Sequence, residues 1–178
     1  MGDSIVYGNG SIPQTPPKKL GVLLGKAITN GGVGGNTTSQ CATRWTSTYA
    51  SAGFSSLIWS CGVNDVAGGI SGATAAANAI AVLNDAKARG MRVTVTAIMP
   101  WKNSAGWDTT KQSEGAAYNT LVQAWAASNS SNYVATSSLG GGGGDGLVLA
   151  TAYDSGDQIH PNSAGALAFA TLVQAVNP

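Results

Sequence analysis

Two apolar runs, and the helical pattern between them, constrain this chain more than any other feature. Residues 54–61, FSSLIWSC, form a short apolar run that ends at Gly62 and reads as a buried strand. Residues 91–99, MRVTVTAIM, are rich in β-branched side chains, stop at Pro100, and read as a second strand. Between them, SGATAAANAIAVLNDAKARG sets Ala76, Ile80, Leu83 and Ala86 at helical spacing, with Gly90 at the C-cap position. Antiparallel neighbours need only a tight turn, whereas a helix-containing connection of this length returns the chain to the same end of the sheet. The two strands are therefore expected to run parallel, joined by a right-handed crossover.

The alternation continues on both sides. Residues 36–51 read as a helix with Asn36 as its cap, and residues 115–128 as another with Leu121, Val122 and Trp125 on one face. Residues 132–138 read as a short strand, and residues 162–176 as a last helix with Pro161 suited to its first turn. LGGGGGDG, 139–146, reads as a flexible loop; its GGGGD does not repeat, which argues against a calcium-binding β-roll. The expected architecture is α/β, a three-layer α/β/α sandwich on a parallel sheet, formed as one domain over residues 1–178.

Composition narrows the partners. Charged residues make up 10% of the chain, its formal net charge is +1, and its nine Lys and Arg form no basic stripe, which argues against nucleic acid. No apolar run approaches the ~18 residues of a membrane span. The opening MGDSIVYG carries neither a signal peptide's charged and apolar regions nor, with Val6 in sixth place, a myristoylation pattern. The abundance of Gly, Ala, Ser and Thr also suits an extracellular or virion-borne protein that forms part of a longer one, without deciding it. One histidine and two widely separated cysteines argue against a protein metal site, and no cofactor motif is present. Cys41 and Cys61 read as two small buried residues, a disulfide being the second reading.

Glycine-rich stretches fail as phosphate sites. GVLLGKA, 21–27, lacks P-loop spacing, and NGGVGGNTT, 30–38, fits no dinucleotide-binding register. The GxSxG elbow of α/β-hydrolases occurs nowhere. Four other pieces form a set: GDS at 2–4, GGNTT at 34–38, GVND at 62–65 and DQIHP at 157–161. GVND directly follows a predicted strand, GGNTT opens a helix, and DQIHP closes the loop before the last helix. Parallel sheets place their sites at the carboxyl ends of strands, so the four can meet at one edge.

In this order the four pieces resemble the blocks of the SGNH hydrolases, the GDSL esterase/lipase family, and the resemblance spans essentially the whole chain. It implies a flavodoxin-like hydrolase fold and a serine esterase with a Ser-His-Asp mechanism. Ser4 matches the nucleophile, His160 the base and Asp157 the acid that orients it. Gly35, with Gly34 as the neighbouring alternative, and Asn64 match the oxyanion donors beside the backbone N–H of Ser4.

The chemistry needs these types. A serine hydroxyl is a weak nucleophile until a base takes its proton. Imidazole serves as that base once a carboxylate fixes its tautomer and orientation. The oxyanion needs preorganised donors. Asp154 is the rival acid, six positions from His160, and Asp3 and Asp65 read as loop-stabilising carboxylates. MPWKNSAGW, 99–107, would bring Trp101 and Trp107 to the same edge, either as a platform for a sugar ring or acyl chain or as packing for the loop itself. The expected substrate is a small-molecule or carbohydrate ester with a short acyl group, O-acetyl sugars included. The contrasting reading is a non-catalytic carbohydrate-binding or scaffold domain on the same fold.

One element departs from the family. Its members carry an apolar strand directly before GDS, inside the sheet, and here only Met1 and Gly2 precede Asp3. The expectation is that an upstream segment or a second chain supplies that first strand.

Overall fold

The computed structural model describes residues 1–141 and 145–177. Part of the glycine-rich loop, residues 142–144, lies outside the described residues. Three strands, β1 (Ser56–Trp59), β2 (Arg92–Thr96) and β3 (Asn132–Val134), form a parallel sheet in the order β1-β2-β3, with Ser56 opposite Arg92 and Thr94 opposite Asn132. Helix α5 (Gly72–Ala88) connects β1 to β2, and α6 (Thr109–Ser128) connects β2 to β3.

These two crossovers cover one face together with α3 (Thr38–Arg44). Trp45, Leu57, Trp59, Leu83, Val95 and Val122 build the core there. Helices α2 (Pro16–Leu24) and α7 (Ser163–Ala175) cover the other face, where Leu20, Met99, Val134, Phe169 and Val173 pack. The molecule is thus a three-layer α/β/α sandwich, and β1 and β2 have apolar neighbours on both faces, as parallel strands require.

Several boundaries differ from the sequence expectations. The cap of α3 is Thr37, not Asn36: Thr37 accepts from Gln40 N–H while Gln40 reaches back to Thr37 N–H, a reciprocal capping box. The helix passes into a wider π turn over Trp45–Tyr49. Helix α6 starts at Thr109, capped by Asp108, and on it Val122 and Trp125 are buried whereas Leu121 is 41% exposed. Strand β3 ends at Val134. Asn162, rather than a proline in the first turn, caps α7, accepting from Ala164 and Gly165 N–H.

Where a first strand was expected, Met1 and Gly2 form a stub of one. Gly2 makes parallel bridges to Gly32 on one side and Ser60 on the other. A Cβ at Gly2 would collide with the Ser60 carbonyl and Val6, and one at Gly32 with the backbone of Tyr7. Glycine is the residue that lets these three segments close at this point. Among the described residues, no helix is long and apolar enough to cross a membrane.

Candidate active site

The stub delivers Asp3 and Ser4 to the carboxyl edge of the sheet. Asp3 caps the short helix α1 (Ser4–Tyr7), its carboxylate accepting from Ile5 N–H at 3.0 Å. Ser4 is the first helical residue, so its N–H has no intrahelical acceptor, and none is found among the described residues. Asp3 is buried, and burial pushes its carboxyl up to about 7, against the opposing pull of the Ile5 N–H and of His160.

The loop before α7 supplies the partner. His160 Nε2 lies 2.8 Å from Ser4 Oγ, and His160 Nδ1 lies 2.6 Å from Asp157 Oδ2. The other oxygen of Asp157 accepts from the backbone N–H groups of Ile159, at 3.0 Å, and His160, at 2.8 Å. Desolvation opposes charge on Asp157, but the hydrogen bonds from His160 and these two N–H groups outweigh it and hold its carboxyl below the ordinary value. Asp154 faces elsewhere: it accepts from Gln158 N–H at 2.9 Å and from Gln158 Nε2 at 2.7 Å. Gln158 has φ 64°, so Asp154 holds a left-handed residue in the turn that carries Asp157 and His160.

Two further segments reach the same edge. Gly35, at φ 74°, lies in the turn before α3, open to solvent; neither its N–H nor that of Gly34 has a partner among the described residues. Asn64 sits in the first turn of α4 (Val63–Ala67), just after β1. One of its amide hydrogens is donated to the Asn36 carbonyl at 3.0 Å, which fixes the amide plane and leaves the second hydrogen available. Asp65 is fully buried and binds Thr38 twice, accepting from its N–H at 2.8 Å and its hydroxyl at 2.6 Å. It ties α4 to the start of α3.

Sequence reasoning missed Arg44. Its guanidinium donates to the Asn36 side chain at 2.8 Å, the Gly31 carbonyl at 2.8 Å and the Gly2 carbonyl at 2.9 Å. Nothing in the sequence marks an arginine at the end of α3 as a brace between the serine segment and the glycine turn. Cys41 and Cys61 are free and buried, with sulfurs 2.9 Å apart beneath the same turn. The tryptophans divide. Trp101 is 2% exposed and packs in the core beside Val63 and Met99, so it offers no platform to a substrate. Trp107 is partly buried, donating to Gln112 at 2.9 Å, with Lys102 Nζ 5.7 Å from its ring centre.

Comparison with known proteins bears on the fold and the family. No curated protein matches the chain. Among solved structures, a GDSL-like lipase from Bacteroides thetaiotaomicron VPI-5482 is 21% identical, with a TM-score of 0.73 over 99% of this chain and 85% of that one. A member of the G-D-S-L family of lipolytic proteins from Desulfitobacterium hafniense DCB-2 is 15% identical, with a TM-score of 0.85 over 99% and 96%. A carbohydrate acetylesterase family member from Sinorhizobium meliloti is 16% identical, with a TM-score of 0.78 over 99% and 94%. These likenesses establish the fold. The model of the GDSL-like lipase/acylhydrolase family matches residues 1–168, nearly the whole chain, and the protein therefore belongs to that family, the SGNH hydrolases.

Proposed function

We propose that this hydrolase is a serine esterase in which Ser4 attacks the ester, His160 moves the proton and Asp157 holds His160 in place. The observation that carries the reading is the continuous chain of hydrogen bonds from Ser4 Oγ through both imidazole nitrogens to Asp157. With Nδ1–H donated to the carboxylate, Nε2 is left as the acceptor for the serine proton.

Ser4 Oγ adds to the acyl carbon as its proton passes to His160 Nε2. The oxyanion that forms is met by the N–H of Ser4, the N–H of Gly35 and the side-chain amide of Asn64. Collapse of the adduct expels the alcohol, which takes the proton back from His160. Water then attacks the acyl-serine with His160 again as base, releasing the acid and restoring the serine.

Asp157 is exposed and His160 partly so, and this openness supports small, water-accessible esters. O-acetyl groups on carbohydrate are the preferred candidates, in keeping with the name of the S. meliloti relative. A fluorophosphonate probe should label the wild-type protein at Ser4 and fail to label Ser4→Ala. On p-nitrophenyl esters, turnover should fall as the acyl chain lengthens beyond acetyl and butyryl, and acetylated xylan should release acetate. Labelling that persists in Ser4→Ala, or turnover by His160→Ala at the wild-type rate, would overturn the assignment.

A further inference from the structure

The chain has five tryptophans, and four of their indole N–H groups have an acceptor. Trp45 donates to Asp85, Trp59 to the Tyr118 hydroxyl, Trp107 to Gln112 and Trp125 to Asn84. Trp101 is the exception. It is 2% exposed, and its Nε1 has no partner among the described residues. Buried donors in native proteins are almost always paired, so an unpaired one calls for an account.

Trp101 lines a cleft of about 150 Å³ at the carboxyl edge of the sheet, between the ends of β2 and β3 and the first half of α6. Ala135 and Ser137 stand on its rim, both exposed. Gly115 of α6 lies beside the indole. A Cβ there would sit 3.9 Å from Nε1 and 3.9 Å from Ile98 Cδ1, so a glycine at this point leaves Nε1 uncovered. Two amides of the cleft have already spent their oxygens. Asn119 Oδ1 accepts from Ile98 N–H at 2.8 Å, and Gln112 Oε1 from the Trp107 indole at 2.9 Å. Their amide hydrogens remain to donate.

The cleft thus offers three N–H donors, from Trp101, Gln112 and Asn119, against apolar walls that include Met99 and Leu147. No Lys, Arg or His lines it among the described residues, so a carboxylate would be buried there without a counter-charge. The acceptor that suits these donors is a neutral carbonyl on a small apolar body.

We propose that this cleft binds an acetyl group that the enzyme does not cleave, its carbonyl oxygen on the Trp101 indole and its methyl against Ile98 and Leu147. Ser4 enters from the stub beside β1, whereas the cleft lies off the ends of β2 and β3. At the usual spacing of neighbouring strands the two are on the order of 10–15 Å apart across the sheet. The proposal rests on the esterase reading for the source of this acetyl, a carbohydrate that carries a second one on another ring and presents it to Ser4.

Two measurements test the cleft and that reading separately. N-Acetylglucosamine has the acetyl carbonyl and no ester to hydrolyse. Titrated into isotope-labelled protein, it is expected to shift the indole N–H resonance of Trp101, identified by its loss in Trp101→Phe, to saturation, and glucose is expected to leave it in place. Gly115→Ala covers Nε1, keeps all three donors and favours the helix, and it should weaken this binding at least ~5-fold. An indole that does not respond, or that responds equally to glucose, would overturn the site, and a stronger response to acetate would overturn its neutral character. In the second measurement, wild-type kcat/KM should be ~10-fold higher for a xylobiose acetylated on both rings than for one acetylated on a single ring, and Trp101→Phe should abolish that preference while turning over p-nitrophenyl acetate as before. A preference that survives Trp101→Phe would overturn the proposal. Failure to turn over any acetylated sugar, with the indole still responding to N-acetylglucosamine, would sink the esterase reading and leave the acetyl site standing.

Discussion

Arg44 donates from Nη2 to the carbonyl of Gly2 at 2.9 Å, so a side chain at the end of α3 grips the backbone two residues before the nucleophile. The same guanidinium holds Asn36, whose carbonyl in turn orients the Asn64 amide. One planar group thus ties the serine segment to the glycine turn and, through Asn36, to Asn64, the groups proposed to meet the oxyanion. Arg44→Ala should lower stability by about 1–3 kcal/mol, the cost of leaving buried acceptors unpaired. It should also lower kcat more than it raises KM, because the lost alignment matters most for the oxyanion. Arg44→Lys, which cannot span three acceptors in one plane, should restore little of either. Thermal melts and steady-state kinetics on p-nitrophenyl acetate check both parts; a rescued lysine variant would contradict the brace.

Asn64→Ala removes the side-chain amide proposed to act on developing charge. A fall in kcat of ~10²–10³ with a smaller change in KM is the expected outcome. A variant that loses affinity and keeps its turnover would show that the amide binds substrate instead.

The two aspartates of the loop before α7 should separate cleanly. Asp157→Ala strips the imidazole of its orienting carboxylate and should cost far more activity than Asp154→Ala, which loosens only the turn at Gln158. Kinetics of both variants at one pH decide it, and equal losses would assign the acid wrongly. Metal plays no part in this scheme, so EDTA should leave the rate of the wild-type protein unchanged.

Asp3 gives a pH signature in stability. Its carboxyl is raised from 3.8 to about 7 in the folded protein, so the folded state binds the proton more tightly than the unfolded one. The stability that comes with the neutral form is full below about pH 3.8 and is lost as pH rises through about 7. Asp3→Asn keeps an oxygen for the Ile5 N–H and never ionises. Relative to wild type, its thermal midpoint should gain between pH 5 and pH 8, and a constant difference across that range would refute the burial argument.

The parts of the fold that could be read from sequence are those set by a repeating pattern. β1, α5 and β2 follow from apolar runs and helical spacing, and the four motif segments do reach one edge of the sheet. Helix α2 escaped notice because PPKKLGVLL begins with two prolines. Both sit in its first turn behind the Thr15 cap, where a proline lacks nothing the helix needs. The cap at Thr37 competed with a plausible Asn36, and the side chain of Asn36 turned out to serve Arg44. For Trp101 the sequence left platform and packing open, since an aromatic after a strand looks the same in sequence whether it faces solvent or core, and the residue packs inside. Long-range polar partners such as Arg44 with Gly2, or Asp65 with Thr38, leave no local trace at all.

Ser4 and His160 stand 156 positions apart, near the two ends of the chain, and their hydrogen bond is among the most distant pairings along the polypeptide. Ser4 precedes all three strands of the sheet and His160 follows them, so the proposed nucleophile and base meet only once the whole sheet is in place. A fragment that ends before His160 would lack the proposed base, however well its early portion had folded. The recovery of esterase turnover after dilution from denaturant would for the same reason time the closing of the largest loop, which chain entropy makes slow. Two fragments split at an exposed connection between strands would each be inert and would report, by turnover alone, the moment they find one another.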